Sequence, residues 1–293
     1  MKFRRIFIIT DKHTKFIASL ISSSMMSHYK VIPITLDSSF SIKAIIQKVI
    51  IKYLLYISNS LCFIICPQLF KRLPKNNIVY QLEQLNSNEW FNDCYFNNLK
   101  NSQHICDYSL TNIDILSDYI KKDKLSYLPL VYHDNYFISL DENDSIYDIT
   151  FYGHINDRRK TLLNNLSKYF KINIITNSYG DNLLHKLIRS KIVINIHYYE
   201  GALLETTRIY ECLSLGLFVV SEDSPDLVNY GELTNIVEFI DSGDLASFKG
   251  KLRYWLSNDK LRQDRISSYK RLLMPFRLEF DNKLLNLVEE CVR

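Results

Sequence analysis

The sequence predicts an α/β protein made of two parallel-sheet domains in tandem. Three observations carry this. Short β-rich apolar runs alternate with segments of helical period, and the alternation lapses over residues 131–147 and then restarts. All seven glycines, at 153, 180, 201, 216, 231, 243 and 250, fall in the second series. Strands alternating with helices imply right-handed βαβ units around a parallel sheet.

In the first series RRIFIIT is a strand, followed by a helical period in HTKFIASLISSSMMSHY, the strand KVIPIT and an amphipathic stretch over 41–58. LCFIIC is almost continuously apolar, as a strand buried on both faces requires. NIVYQLEQ, a helix near 90–101, HICDYS, a helix over 110–121 and KLSYLPL complete the series. Residues 131–147 lack a period, are rich in Asp and Asn, and read as a linker. The second series runs YDITFYG, a helix over 157–169, KINIIT, a helix over 181–190, KIVINIH, a helix over 203–215, LFVVSE and NIVEFI. The expected domains are 1–133 and 148–272, with a last helix over 279–293, beyond Pro275, packing back on the first.

At 293 residues, 47% hydrophobic and 13% aromatic, the chain is too apolar for disorder and long enough for two domains. The six cysteines form no CxxC pair and no zinc-spaced cluster, so they read as reduced core thiols. The opening MKFRRIFIITDKHTKF has a basic start, but its apolar run stops at Asp11 and Lys12, short of a secretory h-region. No stretch reaches the roughly 20 residues of a membrane span. The expectation is a cytoplasmic protein. A net charge of +4 gives no reason to expect a nucleic-acid partner. The charge is uneven, however: residues 249–277 carry nine Lys or Arg against two Asp. That segment is either a solvated face or a patch for anionic lipid or an anionic acceptor at the inner face of a membrane.

Ligands of an open α/β sheet sit beyond the carboxyl ends of its strands, and in the second series those ends are polar: GHINDRR, NSYGD with Asn177, HYYEG after NI, and SED. Glycine lets a backbone approach a phosphate closely, so a nucleotide belongs to the second domain. Gly153 is followed by Arg158 and Arg159 at a helix start, where cations oppose the macrodipole. An anion bound between their side chains and the helix amides would account for them; surface arginines with Asp157 as a cap are the alternative. In LETTRIYECLSLG, Arg208 and Glu211 share a helical face. Glu211 suits a ribose, while an ion pair of Arg208 with Glu205 or Glu211 is the structural alternative.

Gly153 with its following arginines, NIHYYEGALLETTRIYECLSLG and the closing VVSE resemble the nucleotide-sugar half of a GT-B glycosyltransferase. PQLFKRLPKNNIVYQLEQ and DYSLTNIDIL are similar to stretches of bacterial and viral members. The resemblance is densest over 148–230, with patches over 67–130. It implies two Rossmann-like domains facing each other across a cleft. A sugar would move from a nucleoside diphosphate to a glycan, glycolipid or glycoprotein acceptor, as in polysaccharide biosynthesis, with no cofactor. Glu211 would bind the donor ribose, and Arg158, Arg159 and Arg208 the diphosphate; Gly153, Asn177, His197 and Glu205 complete the expected donor site. Many retaining members carry two Glu eight residues apart. Here Leu203 stands eight before Glu211, between Glu200 and Glu205, which leaves the stereochemical course open.

The resemblance also implies metal independence; Asp141, Glu142 and Asp144 are acidic but lie in the linker. The first domain would hold the acceptor and, for an inverting enzyme, a base for its hydroxyl, for which Asp11, His13 and Glu83 are candidates. Each has a structural alternative: Asp11 as a helix cap, Glu83 as the partner of a core Tyr or Lys. His197, near the donor, is equally readable as a hydrogen-bonded structural histidine. A catalytically degenerate nucleotide- or glycan-binding protein is the second functional reading, and a scaffold that keeps only the fold is the third.

Overall fold

The computed structural model describes residues 5–36, 45, 46, 49, 51, 53, 55, 60–85, 92–136 and 147–292. The chain falls into two compact units, Met1–Leu130 with Leu278–Arg293, and Val131–Arg277.

The first unit carries a six-stranded parallel sheet of β1 (Arg5–Thr10), β2 (Lys30–Thr35), β3 (Leu61–Ile64), β4 (Asn77–Gln81), β5 (His104–Asp107) and β6 (Leu125–Tyr127), in the order β2-β1-β3-β4-β5-β6. Sequence explains position. The apolar runs LCFI and NIVYQ are buried along their whole length and lie centrally, whereas KVIPIT carries Pro33, which lacks a ladder N–H, and forms an edge. Its helices are α1 (Lys15–Met25), α2 (Asp93–Lys100) and α3 (Leu110–Ser117); Asn92 and Ser109 cap the last two by accepting from Tyr95 N and Asn112 N. The expected amphipathic helix over 41–58 is described at only six positions, all helical.

The second unit holds a five-stranded parallel sheet of β7 (Tyr147–Tyr152), β8 (Ile172–Ile175), β9 (Ser190–Asn195), β10 (Phe218–Glu222) and β11 (Glu238–Ile240), ordered β11-β10-β9-β7-β8. Chain order reverses between β7 and β9, so a ligand crevice is expected beyond their carboxyl ends. Helices α4 (Asp157–Leu166), α5 (Gly180–Leu187) and α6 (Thr206–Ser214) join β7 to β8, β8 to β9 and β9 to β10, and α7 (Leu245–Ser257) follows β11. Ile149, Phe151, Ile192, Ile194, Phe218 and Trp255 form the core.

One helical expectation is corrected. Helix α8 (Asp259–Val292) starts 20 residues before 279 and runs through Pro275. Proline removes one intrahelical hydrogen bond, a cost of about 3 kcal/mol. Tyr269, Leu273, Phe280, Leu284 and Val288, buried at helical spacing on both sides of it, outweigh that cost. The core-thiol reading applies to Cys62, Cys66, Cys106 and Cys212, which are buried and in no disulfide, but not to Cys94, which is exposed.

Candidate functional site

The carboxyl ends of β7 and β9 bring together a charge cluster from four segments. Gly153 follows β7 at φ +132°, a conformation that L side chains rarely adopt, and a Cβ there would lie 2.8 Å from Arg208 Nη2. Two arginines converge beside it. Arg159, on the first turn of α4, is 2% exposed, and backbone carbonyls hold it: Nε donates to Ile196 O at 2.9 Å and Nη1 to His154 O at 2.9 Å. Phe151 and Tyr198 lie against its guanidinium. Arg208, on α6, donates from Nη1 to Asn195 Oδ1 at 2.7 Å and stacks on Tyr152.

Glu205 bridges the pair, Oε1 accepting from Arg159 Nη2 at 2.8 Å and Oε2 from Arg208 Nη1 at 3.1 Å. Burial and the neighbouring Arg208 lower the Arg159 pKa to about 10, so it stays charged at neutral pH. Burial would lower Arg208 as well, but Glu205, Tyr152, Cys212 and Glu211 together outweigh it and leave Arg208 above its ordinary value. His197 is 1% exposed; its Nε2 lies 2.8 Å from Asp223 O, and its Nδ1, 3.8 Å from Glu205 Oε2, has no hydrogen-bond partner. Thr206 Oγ1, at the start of α6, is likewise buried without one.

Arg158 is placed differently. Its guanidinium grips the buried Glu222 carboxylate through Nη2 at 2.6 Å and Nη1 at 2.8 Å, and also reaches His197 O and Ser242 Oγ. Glu222 further accepts from His197 N at 2.7 Å and Gly243 N at 2.8 Å. Burial would raise the Glu222 pKa, but these bonds outweigh it and hold the carboxyl below its usual range. The cation at the start of α4 is therefore explained by an internal carboxylate, which the sequence shows only as the last letter of VVSE.

Glu211 lies one turn further along α6. Its carboxylate accepts from Tyr136 Oη at 3.1 Å and Tyr152 Oη at 3.2 Å, and burial raises its pKa despite those bonds. Arg208 pairs with Glu205 rather than Glu211. Asn177 sits in the exposed loop after β8 at φ 52°. Tyr136, Tyr152, Asn195 and Glu222 were not singled out by the sequence. A charged residue within the apolar run LFVVSE was the available signal for Glu222, since a buried charge needs a partner.

In the first unit, Asp11 Oδ1 follows β1 and accepts from His13 N at 2.8 Å, Thr14 N at 3.1 Å and Thr14 Oγ1 at 3.1 Å, a local turn-forming arrangement. Glu83 follows β4, half-buried, its pKa raised to about 7 by burial and then by Asp11. Its backbone is clamped: Gln81 Nε2 and Asn112 Nδ2 both donate to Glu83 O, at 2.8 and 3.0 Å. The fully buried Asp107 in turn accepts from both amides, at 2.9 and 3.1 Å. Burial lowers the His13 pKa.

The basic segment is partly neutralised. Lys251 and Arg265 pair with Glu238, the buried Arg262 with Asp259, and Lys249 and Arg253 lie over Tyr169. Among the described residues no three His, Cys, Asp or Glu side chains converge as a metal cage, and no helix is long and apolar enough to cross a membrane. Asp141, Glu142 and Asp144 lie outside the described residues.

Residues 143–273 match the glycosyl transferase-like family model. The uncharacterized protein R358 of Acanthamoeba polyphaga mimivirus is 32% identical over 156 residues, which cover 51% of this chain and 52% of that protein. The chain thus spans about half the length of that relative. Among solved structures, sucrose-phosphate synthase from Thermosynechococcus elongatus superposes with a TM-score of 0.63 at 10% identity, over 98% of both chains. Anabaena HepE in complex with UDP and glucose does so at 0.62 and 7%, over 98% of this chain and 100% of that one. The chain has the GT-B fold, and residues 143–273 of its second unit are similar to the glycosyl transferase-like family.

Proposed function

We propose that the protein is a glycosyltransferase that moves a sugar from a nucleoside diphosphate to a glycan or lipid-linked acceptor. The observation that carries this reading is the pair Arg159 and Arg208. Two guanidiniums are fixed at the reversal point of a parallel sheet, beside a glycine too close to bear a side chain. A nucleoside diphosphate puts its charge where such donors converge, and the solved HepE structure holds UDP and glucose.

In this reading the acceptor oxygen forms a bond to the anomeric carbon as the bond from that carbon to the diphosphate oxygen breaks. The leaving oxygen takes the electron pair. Arg159 and Arg208 stabilise its developing charge, the role a metal ion would otherwise have. Activity should therefore survive EDTA. Of the three base candidates, Glu83 has the pKa best suited to take the acceptor hydroxyl's proton near neutrality. Asp11 is occupied by its own turn. Glu211, its carboxylate aimed by two tyrosines, would hold the ribose.

The test is a thermal-shift and calorimetric screen of the full chain against nucleoside diphosphates and their sugars. Saturating ligand at about 100 times Kd raises stability by roughly 2.7 kcal/mol. A nucleotide that binds but whose sugar is never released, by transfer or hydrolysis, would leave the degenerate binding protein. Failure of every nucleotide to bind would leave only the fold. Contact of residues 249–277 with an anionic membrane is supported by their net charge and weakened by the pairs with Glu238; salt-sensitive binding to acidic but not neutral liposomes tests it.

A further inference from the structure

We propose that Glu205 is a built-in anion: its carboxylate occupies the place of the ligand diphosphate between Arg159 and Arg208, and the ligand must displace it to bind. The inference rests on the donor-site reading above.

The first support is that neither arginine needs Glu205 to hold its position. Arg159 is fixed by the carbonyls of Ile196 and His154 and by the flanking rings of Phe151 and Tyr198. Arg208 is fixed by Asn195 and by Tyr152 beneath it. Removing Glu205 therefore leaves the guanidiniums in place, and unneutralised.

The second support is how Glu205 itself is placed. It stands at the N-cap of α6, yet its side chain makes no capping bond, and that side chain is 19% exposed, against 3% for the side chain of Arg159 and 16% for that of Arg208. The side chain reaches solvent beside Arg208 and is not held by the backbone, so a rotation about its own bonds releases it.

The third is that the cluster keeps capacity it does not use. His197 Nδ1 is buried 3.8 Å from the same carboxylate with no partner, and Thr206 Oγ1 is buried next to it in sequence with none. Buried polar groups are rarely left so. A group with more oxygens than one carboxylate, as in a diphosphate, could engage them.

The charge count then makes Glu205 a threshold for binding. With Glu205 in place the two arginines and one carboxylate sum to a single positive charge. A monoanion gains little by replacing one carboxylate with another anion, whereas a di- or trianionic diphosphate brings added charge. Glu205 therefore sets a threshold that a diphosphate passes at concentrations where a monophosphate does not.

Calorimetric titration of the full chain with UDP, inorganic pyrophosphate and inorganic phosphate tests this, using wild type, Glu205→Gln and Glu205→Ala. The expected result is binding of UDP and pyrophosphate roughly tenfold tighter or more in both variants. Inorganic phosphate, which must displace the same carboxylate, should tighten by a similar factor. Melting curves identify any variant that fails to fold, and the other then decides. Unchanged or weaker binding in a folded variant, with wild type binding normally, overturns the inference and leaves the donor site standing. Absence of binding in wild type and both variants overturns the donor site and this inference together.

Discussion

The Arg158 guanidinium and the Glu222 carboxylate form a two-point ion pair at 2.6 and 2.8 Å, and the same carboxylate receives the amides of His197 and Gly243. One side chain thereby ties the start of α4 to the ends of β9 and β10. Removing Arg158 as Arg158→Leu strands a fully buried carboxylate, and breaking such a pair costs about 3–5 kcal/mol. The lower end applies because Arg158 is 23% exposed. Urea unfolding measures the loss. The pH dependence has a definite sign. Because the folded Glu222 pKa is lowered, its stabilisation is present above its ordinary value of 4.5 and is lost as pH falls through the lower folded value. The difference between wild type and Glu222→Gln should therefore shrink on the acid side. A difference independent of pH would contradict this.

Glu211→Gln keeps size and helix propensity but removes a charged acceptor. The expected loss is about 1.5–3 kcal/mol of nucleotide binding, or roughly 10- to 150-fold in affinity. Stability should change little, because Arg208 pairs with Glu205 and Glu and Gln have similar helix propensities. A lower melting temperature with wild-type affinity would return Glu211 to a structural role. Tyr152→Phe, which removes one of the two hydroxyls aiming the carboxylate, should weaken affinity less than Glu211→Gln.

Glu83 offers a different pH signature. Its folded pKa is raised to about 7 from an ordinary 4.5, so the folded state holds this proton longer than the unfolded chain does. Stability is then greatest below 4.5 and falls as pH rises through about 7. Glu83→Gln removes the burial cost of that charge, and its melting temperature should exceed that of wild type by more at pH 8 than at pH 5. If Glu83 is also the base, sugar transfer should rise with pH through the same region in wild type. The variant should retain nucleotide binding while losing transfer by roughly 100-fold or more.

What was legible in the sequence follows from what has a period. Strand and helix alternation is local chemistry, so all eleven strands fall where apolar runs stand and Pro33 marks an edge. The helix through Pro275 was misread because a local penalty was outweighed by distant apolar contacts. The cluster of Gly153, Arg159, Arg208 and Glu205 was legible as polar strand ends. Its pairing was not, since Arg158 with Glu222 and Arg159 with Glu205 join residues 64 and 46 positions apart. Tyr136 gave no sign at all: it stands in an aperiodic stretch and reaches Glu211 across 75 positions.

Gly153 tests how tightly that cluster is built. Its φ of +132° is costly for any L side chain, and a Cβ would stand 2.8 Å from Arg208 Nη2. An arginine tip can usually move aside. This one is held by Asn195 and Glu205 and stacks on Tyr152, so moving it breaks bonds. Gly153→Ala should thus lower stability by about 1–3 kcal/mol through backbone strain. It should also weaken binding of UDP and pyrophosphate by roughly tenfold or more, through a displaced Arg208. Gly243→Ala separates the two effects. Gly243 also has a positive φ, +82°, but a Cβ there meets nothing within 4 Å. Its strain should lower the melting temperature with no change in pyrophosphate affinity, because its amide still serves Glu222. Equal affinity losses in the two variants would mean that strain alone is felt at the site. Loss only in Gly153→Ala would mean that the guanidinium of Arg208 must stand against a bare backbone to bind its anion.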